Sequence, residues 1–224
     1  MKALAIDSAV TRLSIAVKND NKTVSAIYDI GMKQSETLLP AIDYILTKAG
    51  VSPRELAYTA ICSGPGSFTG LRLAFAALKA IEHAGNIPIY GIPTLETYAL
   101  PYRELPFSVV PVIDAKKDKF YAAVYDKKNE LLPAGDYVLN KIIDILKDKQ
   151  ELLICGPDAE LFSERTVDFT GTKKVFVMPF TEVTTSALFT LAEQRIAQNI
   201  PPLKDFDGPM YLRASEAEEH LATD

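Results

Sequence analysis

Histidine is scarce in this chain: the 224 residues include two, His83 and His220. They lie too far apart to form the i, i+4 ligand pair of a helical zinc site, so that class of metal chemistry is excluded. The same scarcity leaves no nucleophile with a paired histidine, which argues against peptidase chemistry. Cysteine is as sparse. Cys62 and Cys155 each end an apolar run ahead of a Gly-Pro turn, and without secretory context they read as small buried hydrophobes rather than a disulfide. Positive charge is in deficit: 24 Lys and Arg face 29 Asp and Glu, for a net charge of −5, so autonomous RNA binding is not expected. No apolar run approaches the roughly 18 to 20 residues of a membrane span. At the start, Lys2 precedes a short apolar run broken by Asp7, which is no signal-peptide core. A cytoplasmic protein without a membrane partner is expected. An apolar share of 48% and a charged share of 24% are ordinary for a folded protein able to bury one large core or two small ones.

The most informative stretch is Cys62-Ser63-Gly64-Pro65-Gly66-Ser67-Phe68-Thr69-Gly70-Leu71-Arg72. It reads as a strand, a glycine-rich loop and a helix capped by Ser67. Amides at a helix start attract anions, and glycines let a phosphate come close. The lysine of a Walker A loop is missing, because Leu71 and Arg72 follow Gly70, so that form of nucleotide site is excluded. Two readings stay open: Asp7, Gly64, Gly66, Ser67, Thr69 and Gly70 form a nucleotide or anion loop, or the glycines serve a tight turn.

Along the chain, Ala3 to Ile6 is apolar and ends at Asp7, while residues 13–17 and 23–28 alternate with period two, predicting a strand and a hairpin. Leu38, Leu39, Ile42, Ile45, Leu46 and Ala49 recur at helical spacing, between a cap at Ser35 and a stop at Gly50. A strand near 58–62, a helix over 67–84, a strand at 88–91 and a short helix from Thr94 complete the first half. The second half repeats the order: residues 109–113 end at Asp114, 119–125 return as a hairpin, and a helix near 140–147, strands at 152–155 and 175–177 and a helix over 185–198 follow. The spacing predicts an α/β chain built twice, with an N-terminal lobe over 1–104 and a C-terminal lobe over 105–224 that ends in an acidic tail, residues 215–224.

This order resembles the actin, sugar kinase and Hsp70 (ASKHA) superfamily with its duplicated ribonuclease H-like fold. More closely, several segments resemble the TsaB (YeaZ) family: Leu4-Ala5-Ile6-Asp7-Ser8-Ala9, Gln34-Ser35-Glu36-Thr37-Leu38-Leu39-Pro40, the string Gly64 to Arg72, Gly91-Ile92-Pro93-Thr94-Leu95, Ile113-Asp114-Ala115-Lys116 and Pro209-Met210-Tyr211-Leu212-Arg213. The resemblance implies a non-catalytic subunit. In that family a TsaD paralogue holds the metal and transfers threonylcarbamoyl to N6 of adenosine 37 in tRNAs reading codons that start with A, and a small ATPase, TsaE, joins the assembly. It implies that tRNA is met only within the complex, and that a homodimer can form through the same helices. Two departures weaken any chemistry further: Gln34 stands where many relatives keep a histidine, and Asp118 where a glycine is usual. Neither hairpin turn, after Asp7 or after Asp114, contains a glycine to wrap phosphate. No catalytic residue, metal or cofactor of its own is expected, with ATP or ADP reserved for a subunit interface.

The residues also point to a partner without the resemblance. Leu71, Leu73, Ala74, Phe75, Ala76, Ala77, Leu78, Ala80 and Ile81 wrap most of the second helix, leaving Arg72, Lys79, Glu82 and His83 a narrow stripe. A helix on one sheet needs a single apolar face. Leu38, Leu39, Ile42, Ile45, Leu46, Leu71, Phe75 and Leu78 are therefore the expected partner interface, against the alternative that both helices pack over their own sheet. The rival function is a free-standing small-molecule kinase or ATPase that uses Asp7 or Asp114 in the interlobe cleft.

Overall fold

Alternation along the first strand sets the layering of the N-terminal half. Leu4 and Ile6 point to one face of the sheet and Ala3 and Ala5 to the other, all fully buried. The computed structural model describes residues 1–31, 33–127, 129–180 and 184–212. Its strands are β1 (Lys2–Asp7), β2 (Arg12–Asn19), β3 (Lys22–Asp29), β4 (Tyr58–Gly64), β5 (Ile89–Pro93), β6 (Ser108–Asp114), β7 (Lys119–Asp126), β8 (Asn129–Val138), β9 (Glu151–Cys155) and β10 (Lys174–Val177). Its helices are α1 (Gln34–Ala49), α2 (Phe68–Gly85), α3 (Thr94–Ala99), α4 (Leu139–Leu146), α5 (Ala159–Arg165), α6 (Val167–Thr170) and α7 (Thr185–Ala197). None of the described helices is long and apolar enough to cross a membrane.

The chain divides into two units, one comprising Met1–Thr97 with Val183–Met210, the other centred on Tyr98–Glu182. Each holds one five-stranded sheet, in the orders β3-β2-β1-β4-β5 and β10-β9-β6-β7-β8. The second order is the first read backwards, element for element. In each, the hairpin strands pair antiparallel and the later strands parallel. This is the duplicated α/β architecture that the strand order predicts.

In the first unit α1 and α2 cover the face carrying Leu4, Ile6, Leu13, Ile15 and Val17, and form one core with it. The other face presents a row of small residues, Ala16, Ala5 and Ala60, paired across the sheet, which lets α7 lie close on β1, β4 and β5. Here the expected boundaries need correction: the helix over 185–198, placed in a C-terminal lobe 105–224, packs on the first unit's sheet. Arg195 fastens it, donating to the Gly91 carbonyl at 2.7 Å.

The second unit surrounds Val110, Val112, Phe120, Ile142, Leu152, Ile154 and Phe162, with the Phe120 and Phe162 rings edge to face at 5.1 Å. Three of its elements were not expected: β8, α5 and α6. β8 carries Pro133 and Gly135 and is an edge strand, where a missing ladder donor is tolerated. The cap expected at Ser35 is also absent, because α1 already begins at Gln34 with no side-chain cap. Gly50 does close α1 in a left-handed conformation, and Ser67 caps α2 by accepting from the Gly70 amide at 3.2 Å. Arg213, His220 and the acidic tail lie outside the described residues.

Candidate functional site

The glycine loop leaves the fully buried strand β4 and is folded against its own unit. Gly64 donates its amide to Thr94 Oγ1 at 3.2 Å. Its φ of +119° suits glycine, and a Cβ there would lie 2.3 Å from the Met210 carbonyl oxygen, in a segment docked by the Met210 amide donating to the Ser63 carbonyl at 2.6 Å. A Cβ on Gly66 would meet the Ala9 carbonyl at 2.3 Å, the oxygen that also accepts from the Ser67 amide at 2.6 Å. A Cβ on Gly70 would meet the Ser8 carbonyl at 2.2 Å, while the Ser8 hydroxyl donates to the Gly70 carbonyl at 2.9 Å. Close approach of this chain therefore accounts for all three glycines. Beside Gly66 and Gly70 the neighbouring groups are carbonyl oxygens, whose negative partial charge is wrong for an anion. Of the two readings of the loop, the tight-turn one explains these contacts. Thr69 is exposed at the start of α2.

Gln34 pins the same junction. It is 6% exposed and its Nε2 donates to the Val10 carbonyl at 2.5 Å. With Thr11, Ser67, Thr69 and Leu73 it borders a cavity of about 30 Å³, the room of a water molecule rather than a nucleotide. Asp7 is 1% exposed. It accepts from the Ala9 amide at 3.0 Å and from the Thr184 hydroxyl at 2.7 Å, tying the β1–β2 turn to the start of α7. The neighbouring Cys62 thiol is pushed up by burial and then by the Asp7 charge, so it stays a protonated, inert core group.

In the second unit Asp114 accepts from the Lys116 amide at 2.9 Å and its ammonium at 2.7 Å. Burial alone would raise its carboxyl, but these bonds and the positive charges of Lys116 and Arg165 outweigh it and hold the group below its ordinary value. The turn that follows is unusual: Lys116, Lys117 and Asp118 all take positive φ, of 59°, 51° and 56°. Among the described residues no group of three His, Cys, Asp or Glu side chains is placed to hold a metal ion. His83 is exposed in the last turn of α2.

The helix pair corrects the expected interface. Leu38, Ile42, Ile45, Leu46, Leu71, Phe75 and Leu78 are each at most 7% exposed, and they pack into their own unit beneath α1 and α2. Only Leu39 of the eight expected contacts is exposed, at 64%. The large side chains of both helices face the sheet because Leu71, Phe75 and Leu78, three and four apart, fall on one stripe. Beyond Phe68 and Arg72, which stack on each other at its start, α2 turns a row of small residues outward: Ala76, Ala80 and Ala84 form an exposed i, i+4 ridge. Between that ridge, α1 and the turn at Pro53 lies an apolar groove of about 300 Å³, walled by Leu39, Ile42, Leu46, Ala77 and Ile81, with Asp43 and Arg54 at its edge. Small residues allow another helix to approach closely, and the groove offers it an apolar seat.

Known proteins agree with this architecture. A family model described as TsaD, tRNA N6-adenosine threonylcarbamoyltransferase, matches residues 31–205. The tRNA threonylcarbamoyladenosine biosynthesis protein TsaB of Bacillus subtilis is 30% identical, over 97% of this chain and 96% of its own. The protein of that name from Escherichia coli is 33% identical over 57% of this chain and 56% of its own. Among solved structures, YeaZ from Pseudomonas aeruginosa superposes with a TM-score of 0.74 at 22% identity, covering 94% of this chain and 99% of that one. The chain belongs to the TsaB (YeaZ) branch of the TsaD-like family, whose named members act in the biosynthesis of tRNA threonylcarbamoyladenosine.

Proposed function

We propose that this chain is a non-catalytic subunit that seats a TsaD-type paralogue on α1 and α2, and that it is required for threonylcarbamoyl transfer to N6 of adenosine 37 in tRNAs reading codons that begin with A. The observation that carries the reading is the outward face of the helix pair: an exposed ridge of alanines beside an apolar groove, with Leu39 standing free. Such a face, combining small residues with an apolar seat, suits a second pair of helices. A TsaE-type ATPase joins the assembly, tRNA is met only there, and without TsaD the same face closes a homodimer. ATP or ADP belongs at the seam between subunits, since backbone of this chain crowds Gly66 and Gly70 of the glycine loop.

The test is a threonylcarbamoylation assay on tRNA with the cognate TsaD and TsaE, run with and without this chain. The modification is expected to depend on it, and the isolated chain to turn over no ATP. Modification at full rate without the chain would contradict the reading. ATP turnover by the chain alone that falls in Asp7→Asn would favour a free-standing kinase instead.

A further inference from the structure

We propose that the opposite face of the first unit, where β2 and β3 meet α7, binds a neutral polyhydroxylated small molecule of sugar size. This inference does not rest on the partner reading. A cavity of about 360 Å³ lies there, within the range of small-molecule sites. The strand period places its polar wall: Val24 and Ala26 pack towards the core under α1, so Thr23 and Ser25 point the other way. The register sets Lys18 directly opposite Thr23. From across the cavity α7 contributes Ser186, Thr190 and Glu193, three and four apart on one ridge, with the Phe189 ring as an apolar wall.

The chemistry of these groups selects the ligand. Glu193 Oε1 accepts from the Lys18 ammonium at 2.5 Å and from the Tyr58 hydroxyl at 2.9 Å. Both bonds use one oxygen, so Oε2 keeps its capacity to accept and the ammonium keeps two further protons to donate. A hydroxyl placed between them takes a bond from Lys18 and gives one to Glu193, and a neighbouring hydroxyl extends the pattern to Thr23 or Ser25. Anions are opposed by Glu193 and cations by Lys18 and by the positive end of α7, whereas a neutral polyol meets both partners. Thr185 adds an independent sign. It lines the cavity and is 1% exposed, and its Oγ1 has no hydrogen-bond partner among the described residues, a condition that buried hydroxyls rarely keep.

Saturation-transfer NMR on the full chain, with D-ribose, D-glucose and myo-inositol as probes and glycine and inorganic phosphate run in parallel, tests the site. At least one polyol is expected to show transfer. Its Kd should rise about tenfold, the worth of one hydrogen bond, in Lys18→Met, which removes the donor, and transfer should be lost in Ser25→Tyr, whose ring occupies the cavity. Ser25→Tyr suits an exposed strand position and keeps the test valid if Lys18→Met folds poorly. Absence of transfer from all three polyols overturns the proposal. So does polyol transfer that both variants leave unchanged, or transfer from glycine or phosphate alone.

Discussion

Replacing Gly66 by alanine distinguishes a packed junction from a ligand cradle. The added Cβ would lie 2.3 Å from the Ala9 carbonyl oxygen, 2.8 Å from the Ala9 Cβ and 2.9 Å from its carbonyl carbon. Relieving those contacts moves two backbone segments apart by about 1 Å, and the 2.6 Å bond from the Ser67 amide to the same oxygen does not survive it. Overpacking costs about 1–3 kcal/mol and the lost buried bond about 1–3 kcal/mol more, so Gly66→Ala should destabilise by about 2–6 kcal/mol, a large part of a typical domain's stability. Gly208→Ala is the control, because a Cβ there meets nothing within 4 Å, and it should stay within about 0.5 kcal/mol of the parent. Urea unfolding followed by far-UV circular dichroism reads both as shifts in midpoint. A cradle for an absent ligand would leave the Gly66→Ala midpoint unchanged, and that result would refute the packing argument.

Other substitutions follow from the same geometry. Lys117 is the middle of three consecutive left-handed residues, a conformation that costs an L-residue about 1–2 kcal/mol. Against the larger chain entropy of glycine, about 0.5–1 kcal/mol, Lys117→Gly should raise stability by about 0.5–1 kcal/mol, and a lower urea midpoint would count against it. Tyr58 has its hydroxyl pushed upward first by burial, then by its bond to Glu193 and that residue's charge. Since the folded value lies above the unfolded one, this contribution to stability is complete below about pH 10 and is lost as pH rises beyond it. Tyr58→Phe should therefore flatten the alkaline limb of a plot of Tm against pH, and an unaltered limb would show that the hydroxyl is not coupled to folding.

Most strands were legible because the first hairpin alternates with period two and each parallel strand is a short apolar run, so Asp7 and Asp114 marked equivalent ends of two similar sheets. The return of α7 to the first unit was not, because chain order says nothing of where a segment crosses back, and the small residues Ala3, Ala5, Ala16 and Ala60 that receive it look like unremarkable strand positions. The helix pair departs from its expected interface for a different reason. Counting alanines and leucines alike made α2 seem apolar all round, whereas weighting by size separates a heavy stripe, Leu71, Phe75 and Leu78, from a light one, Ala76, Ala80 and Ala84. That distinction was available in the sequence and locates the sheet side directly. The crowding of Gly66 and Gly70 by Ala9 and Ser8 was beyond sequence, since it joins loops some sixty residues apart.

Whether the light stripe of α2 seats a TsaD-type partner is decided by Ala80→Glu. Ala80 is exposed in the chain alone, so the variant should keep its Tm, while a carboxylate pressed into an apolar helix contact costs about 2–5 kcal/mol. Calorimetric titration with the cognate TsaD should then show affinity reduced by about 30-fold or more relative to the parent. Equal affinity for TsaD in the parent and in Ala80→Glu would mean that the partner does not sit on this stripe.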